Sequence, residues 1–158
     1  MNRHSDVPPR DAMSPLNGAS FAALMVLMVC VVTLLFRRSL FASGPVGIGL
    51  QIAGLALVLW ARATFGMRSF HATARPTEGG LVTTGPYRFL RHPIYSGVSL
   101  IVWAGVLTRG HLLDWILAGV ITVGTFVRLI AEERLVTMRY PEYADYARRT
   151  RRLVPFVF

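Results

Sequence analysis

The clearest signal for the fold is an uncharged stretch, Ala19-Ser-Phe-Ala-Ala-Leu-Met-Val-Leu-Met-Val-Cys-Val-Val-Thr-Leu-Leu-Phe36, which is followed by Arg37 and Arg38. As a helix that rises 1.5 Å per residue, it would reach about 27 Å, close to the roughly 30 Å hydrocarbon thickness of a bilayer. We therefore expect this stretch to cross a membrane as a single helix.

Three more apolar blocks follow, over residues 46–67, 94–107 and 112–131. Pro93 is well placed for the first turn of the third block. A tight turn at 108–111 separates the third and fourth blocks, so these two are expected to form a helical hairpin. Four such blocks in 158 residues leave little polar surface to cover a soluble core. The sequence predicts an all-α integral membrane bundle of about four transmembrane helices.

The composition supports a lipid environment. Hydrophobic residues make up 53% of the chain and charged residues only 16%, against about 25% charged in soluble domains. The net charge is +9 and comes from arginine without lysine, which fits the positive-inside bias better than a nucleic-acid interface on a soluble fold. The bilayer is the expected partner, with no nucleic acid and no obligate protein partner. Cys30 is the single cysteine, the histidines lack ligand spacing, and no metal is expected.

The polar parts of the chain frame these blocks. Residues 1–18 are interpreted as a polar N-terminal segment, and residues 19–158 as one membrane domain. A turn-rich loop over 68–93 is longer than compact proteins usually carry without a function. The charged stretch 132–152 is predicted to form a C-terminal helix with a local break at Tyr140-Pro141, and its arginines are expected at the lipid headgroups.

Four spans would place both termini, the long loop and the C-terminal helix on the same side of the membrane. That side holds most of the arginines, while Arg37, Arg38 and Arg109 lie on the other. The positive-inside rule therefore predicts that the termini and the long loop are cytoplasmic, in a plasma or inner membrane.

One candidate site lies where the chain is expected to enter the membrane, over residues 85–97. This segment packs Tyr87, Arg91, His92 and Tyr95 around two prolines. Interfacial anchoring is one interpretation of such residues. Many hydrogen-bonding groups on a fixed backbone also suit the binding of a polar cofactor.

A second candidate site is the pair Arg128 and Glu132, which share one helix face because they are four residues apart. Charges near the bilayer are costly and usually functional, although at a helix end they can reach water. Glu132 is suited to an ammonium group or a ribose hydroxyl. Arg128 is suited to a carboxylate, which matches its planar fork of donors.

Five motifs taken in order resemble the isoprenylcysteine carboxyl methyltransferase family and, more loosely, the phospholipid methyltransferases. They are Leu81-Val-Thr-Thr-Gly-Pro-Tyr87, Arg91-His-Pro-Ile-Tyr95 with Gly97, the Glu132-Glu133 pair, residues 140–146 and Pro155-Phe156. The resemblance implies an S-adenosylmethionine pocket that faces the cytosol, with S-adenosylhomocysteine as the product. The residues that it implies for this pocket are Leu81, Val82, Tyr87, His92, Pro93, Ile94, Tyr95 and Glu132. We add Gly80 on physical grounds, because backbone at a glycine can approach a cofactor closely.

The resemblance also implies a function. Arg128 matches the family's arginine that faces the substrate carboxyl group, and Arg128 and Glu132 are the expected catalytic residues. The expected reaction is O-methylation of a carboxylate on a lipophilic, isoprenoid-like molecule. Three alternatives stay open: N-methylation of an amine on a phospholipid, a sterol-type reductase that uses NADPH, and a membrane scaffold without enzymatic activity.

Overall fold

The computed structural model describes residues 10–66 and 81–153. They form five α-helices and a short 3-10 helix, and in this part of the chain there is no β-strand beyond one isolated parallel bridge between Leu90 and Arg151. The helices are α1 Arg10–Phe36, α2 Gly44–Phe65, α3 Pro93–Arg109, α4 Leu112–Arg139 and α5 Tyr143–Arg149, with the 3-10 helix at Gly85–Arg88. The all-α prediction is confirmed.

The four long helices form two antiparallel pairs, in which α1 packs along α4 and α2 packs along α3. Glycines allow the second pair to come close: a Cβ built on Gly54 would lie 2.8 Å from the carbonyl oxygen of Gly97. Small residues of this kind let helix backbones approach without steric conflict. The buried core joins the two pairs through residues of α1, α3 and α4, namely Cys30, Leu34, Val102, Val106, Ala118 and Ile121.

One end of the bundle, where α1 ends and α4 begins, is fastened by Asp114. Its carboxylate is fully buried and accepts hydrogen bonds from Arg37 Nε at 2.5 Å and Ser39 Oγ at 2.8 Å. It also accepts from the backbone N–H of His111 at 2.9 Å, which caps the start of α4. These bonds connect the α1–α2 loop to the α3–α4 turn. They hold the two loops together at this end of the bundle.

The opposite end, which we call the site end, collects the C-terminal ends of α2 and α4, the start of α3, and α5. There the ring of Phe65 at the end of α2 lies 5.4 Å from the ring of Tyr87 in the 3-10 helix. The positions that the sequence analysis singled out, as far as the structure describes them, therefore lie at one end of the bundle.

Two helix limits differ from the expected ones. Helix α1 begins at Arg10, within the segment 1–18 that was expected to precede the first helix. The predicted span 112–131 and the first part of the predicted C-terminal helix 132–152 form one helix, which ends at Arg139. The helix does not end where the charged residues begin at Glu132, because arginine side chains form ion pairs with Glu132 and Glu133. The predicted break at Tyr140-Pro141 is present, since proline cannot continue the helical hydrogen bonds.

Two helices, α2 and α4, are long and apolar enough to cross a membrane, and α1 contributes a shorter apolar stretch, Ser20–Phe36. Large apolar side chains such as Val29, Ile52 and Val123 are exposed on the outer faces of these three helices. An apolar surface of this extent fits contact with lipid. The number of spans, four, stays a prediction.

Candidate functional site

The centre of the site is a hydrogen-bonded group formed by Tyr95 of α3 with Arg128 and Glu132 of α4. The Tyr95 hydroxyl donates to Glu132 Oε1 at 2.5 Å and accepts from Arg128 Nε at 3.0 Å. Arg128 Nη2 donates to the same Oε1 at 3.1 Å. Two donors therefore fix one oxygen of Glu132, and the expected pairing of Arg128 and Glu132 on one helix face is present.

Helix α1 closes this group from the side. Arg128 Nη1 donates to the backbone carbonyl oxygen of Ser20 at 2.9 Å, and Ser20 is fully buried. Only 5% of Arg128 is exposed. Ser20 could not be predicted from the sequence, because two residues 108 positions apart show no spacing pattern.

His92 lies beside this group at the start of α3. Its ring is nearly parallel to that of Tyr95, with 5.7 Å between the ring centroids. Its Nδ1 is 3.8 Å from Glu132 Oε2, which is longer than a hydrogen bond. In the described part of the chain, Oε2 makes no hydrogen bond, so this carboxylate oxygen is open to accept one.

The adjacent carboxylate, Glu133, has different partners. It is 9% exposed. Its Oε1 lies 3.1 Å from Arg91 Nη1 and 3.4 Å from His92 Nε2, while Oε2 accepts from Arg152 Nε at 3.1 Å. Arg152 therefore pairs with a carboxylate of α4, and the position of the C-terminal arginines at the lipid headgroups stays a prediction.

The 3-10 helix and α5 form the outer part of the site. The hydroxyl of Tyr146 in α5 donates to the backbone carbonyl oxygen of Tyr87 at 2.8 Å. Burial raises the pKa of Tyr87, and the neighbouring Tyr146 and Glu132 add to the rise. Burial likewise raises the pKa of Tyr146 to about 12. Both hydroxyls therefore stay protonated and remain donors at physiological pH.

A glycine sets the path of the chain into the 3-10 helix. Gly85 has a φ of +57°, in the left-handed region that glycine tolerates. A Cβ at this position would lie 2.4 Å from Thr64 Oγ1 of α2. A larger residue would therefore conflict with the Thr64 side chain and would hold the backbone in a strained conformation.

The structure brings together four of the predicted site residues in direct contact, namely His92, Tyr95, Arg128 and Glu132. Pro93 is buried and Ile94 half-buried at the start of α3. Leu81 and Val82 are half-buried ahead of the 3-10 helix and, being apolar, take no part in the polar network. Gly80 lies outside the described residues, as does the rest of the predicted loop from 68 to 79.

Most of the described chain matches the model of a known protein family. The model of the phospholipid methyltransferase family matches residues 43–143. These residues include Tyr95, Arg128, Glu132 and Glu133, but neither Ser20 of α1 nor Arg152. No solved structure matches the chain.

Several curated proteins are similar over part of their length. Methanethiol S-methyltransferase 1 of Bradyrhizobium diazoefficiens is 43% identical over 72 residues, which cover 44% of this chain and 24% of that protein. Methanethiol S-methyltransferase 2 of the same organism is 39% identical over 99 residues, or 60% of this chain and 37% of that protein. A nickel-cobalt-cadmium resistance protein of Alcaligenes xylosoxydans xylosoxydans is 40% identical over 76 residues, or 48% and 36%. The matches thus span well under half the length of these relatives.

Proposed function

This chain belongs to the phospholipid methyltransferase family, and from that premise we propose that it is a membrane-embedded methyltransferase that uses S-adenosylmethionine and acts on a lipophilic acceptor. The observation that carries the proposal is the arrangement of Glu132. One of its oxygens is held by Tyr95 and Arg128, while the other makes no hydrogen bond in the described part of the chain.

The residues present fit this cofactor, which carries an ammonium group, ribose hydroxyls and a carboxylate. Glu132 Oε2 can accept a hydrogen bond from the ammonium group or from a hydroxyl. Arg91 Nε is buried and has no hydrogen-bond partner among the described residues, and such a donor is suited to a carboxylate. A charged ligand could form hydrogen bonds with both of these polar groups, the acceptor Glu132 Oε2 and the donor Arg91 Nε.

The pocket residues that the sequence predicts stay part of the proposal. Leu81, Val82 and Gly80 would provide apolar and backbone surface, and Tyr87, His92, Pro93, Ile94 and Tyr95 would line the inner wall. When bound, the cofactor supplies a methyl group that a sulfonium activates for direct displacement. The chain itself contributes orientation and the exclusion of water. Orientation alone can lower such a barrier by about 7–11 kcal/mol in favourable cases.

The first candidate acceptor is a carboxylate on a lipophilic, isoprenoid-like molecule, which Arg128 would orient. A carboxylate is already nucleophilic, so the site needs no general base for this reaction. In this interpretation the acceptor approaches from the lipid side, where the helices present apolar surface.

The second candidate acceptor is a thiol. Two observations favour it: two relatives are named methanethiol S-methyltransferases, and Arg128 already donates from Nε, Nη1 and Nη2 to protein atoms. A substrate carboxylate would have to compete with Tyr95, Ser20 and Glu132 for this guanidinium group. Parallel turnover assays with a prenylated acid and with a small alkyl thiol separate the two acceptors.

Thermal unfolding of the detergent-purified protein tests the cofactor proposal. We expect S-adenosylhomocysteine to raise the Tm and NADPH to leave it unchanged, because only a ligand that binds the native state stabilises it. A rise with NADPH alone would instead support a reductase. No rise with either ligand would support a scaffold.

A further inference from the structure

We propose that Glu133 is a positioning residue that fastens the clamp segment, residues 150–153, against the start of α3 and thereby keeps the cofactor side of the site in shape. This inference rests on the proposed function as far as the cofactor is concerned. It assigns Glu133 a role through its neighbours and not through contact with a reacting group.

The first support is the set of charges around Glu133. Its two oxygens lie 3.1 Å from Arg91 Nη1 and 3.1 Å from Arg152 Nε, respectively. Arg91 precedes α3 and Arg152 follows α5, so a carboxylate on α4 is held between two segments that are distant in sequence. A buried carboxylate is stable only with such partners.

The second support is a set of backbone hydrogen bonds between the clamp segment and the turn before α3. The N–H of Arg91 donates to the carbonyl oxygen of Arg151 at 2.7 Å, and the N–H of His92 donates to that of Arg152 at 3.1 Å. The N–H of Arg151 donates back to Phe89 O at 3.0 Å. Three backbone hydrogen bonds alone give a pairing of only marginal stability. The pairing therefore depends on the side chains around it.

The third support is the contrast between the two adjacent carboxylates. Among the described residues, Glu132 contacts Tyr95 and Arg128 and leaves one oxygen without a hydrogen bond, whereas each oxygen of Glu133 lies beside an arginine guanidinium group. Without the charge of Glu133, Arg91 and Arg152 would both lose the carboxylate that lies between them. The clamp segment would then separate from His92 and Arg91, two residues on the cofactor side of the site.

The Arg152 end of this arrangement lies outside the residues that the family model matches, which end at 143. The clamp is therefore inferred from this chain's own contacts. A further hydrogen bond, from Ser96 Oγ of α3 to the carbonyl oxygen of Leu153 at 2.6 Å, extends it toward the membrane helices.

The experiment compares Glu133→Gln with the parent full-length protein in detergent. We expect faster amide hydrogen exchange over residues 89–92 and 150–153, and a rise of about tenfold in the Kd for S-adenosylhomocysteine measured by calorimetry, equivalent to about 1.4 kcal/mol. The matched control is Arg134→Gln, an exposed neighbour on the same helix, for which both readouts should stay within about twofold of the parent.

Arg152→Gln removes the other partner of the pair at a more exposed position, where misfolding is less of a risk. If the two side chains act as a pair, the double variant should be no worse than the stronger single variant, because both changes remove one interaction. Glu133→Asp keeps the charge and should recover part of the affinity. A purely structural role would lower the Tm of Glu133→Gln and leave the KM for S-adenosylmethionine unchanged.

Two outcomes would overturn the inference: unchanged exchange over residues 89–92 and 150–153 in Glu133→Gln, or faster exchange with unchanged ligand affinity. If the parent protein binds no S-adenosylhomocysteine, the proposed function fails, and the exchange measurement alone still decides whether Glu133 fastens the clamp segment.

Discussion

The hydroxyl of Tyr95 stands between Arg128 and Glu132: it donates to Glu132 Oε1 at 2.5 Å and accepts from Arg128 Nε at 3.0 Å. This bond connects α3 to α4 at the site end of the bundle. It also fixes which oxygen of Glu132 is engaged and which remains open. The orientation of the carboxylate, and hence its value for binding a cofactor, depends on this hydroxyl.

Tyr95→Phe should therefore weaken cofactor binding while preserving the ring contact with His92. Hydrogen bonds to charged groups contribute about 1.5–3 kcal/mol, so we expect the Kd for S-adenosylhomocysteine to rise by roughly tenfold or more. Calorimetry in detergent measures this change. Arg134→Gln, at an exposed position of α4 outside the Tyr95–Arg128–Glu132 group, is the control. An unaltered Kd for Tyr95→Phe would mean that Glu132 does not need this bond to bind the cofactor.

Arg128→Lys should separate the two acceptor classes. Lysine keeps the charge but loses the planar fork that matches a carboxylate. With a prenylated acid as acceptor, we expect kcat/KM to fall by about a hundredfold, or roughly 2.7 kcal/mol of transition-state stabilisation. With a thiol acceptor the loss should be much smaller. Cofactor affinity should fall less than in Tyr95→Phe, because the Tyr95 hydroxyl still donates to Glu132. Equal losses with both acceptors would argue against a carboxylate-binding role for Arg128.

Asp114→Asn tests whether the end of the bundle opposite the site end stabilises the fold without affecting ligand binding. The fully buried carboxylate of Asp114 accepts hydrogen bonds from Arg37, Ser39 and the backbone of His111. A neutral amide would leave Arg37 without its counter-charge and place an N–H₂ group among donors. We expect the Tm to fall by several degrees while the Kd for S-adenosylhomocysteine stays within about twofold of the parent. A large loss of ligand affinity in a protein of normal Tm would contradict this assignment.

The helices and the Arg128–Glu132 pair could be predicted from the sequence, because both follow from regular local spacing. Apolar blocks mark the helices, and a separation of four residues places two side chains on one face. The extent of α4 could not be predicted in this way. The rise in charge at Glu132 suggested a new element, but the helix continues because Arg91, Arg128 and Arg152 pair with the two carboxylates.

The contacts between α1 and α4 could not be predicted from the sequence either, because they join residues that are far apart in the chain. Ser20 accepts from Arg128 across 108 positions, and Arg37 pairs with Asp114 across 77. Such pairs depend on how α1 packs along α4, and α1 lies outside the residues that the family model matches. Neither spacing nor hydropathy carries information on that packing.

The predicted orientation in the membrane can be tested with single cysteines. Replacing Cys30 with serine removes the only native thiol, and Cys30→Ser should be tolerated, since it changes one small buried side chain. In this background, Glu142→Cys places a thiol at the start of α5, and Leu112→Cys places one at the start of α4, both at exposed positions. If α4 crosses the membrane with its C-terminal end in the cytoplasm, a membrane-impermeant maleimide should label Leu112→Cys in intact cells. It should label Glu142→Cys only after the membrane is opened. Labelling of both positions from outside would show that α4 does not span the bilayer, and the reverse pattern would place the site end outside the cytoplasm.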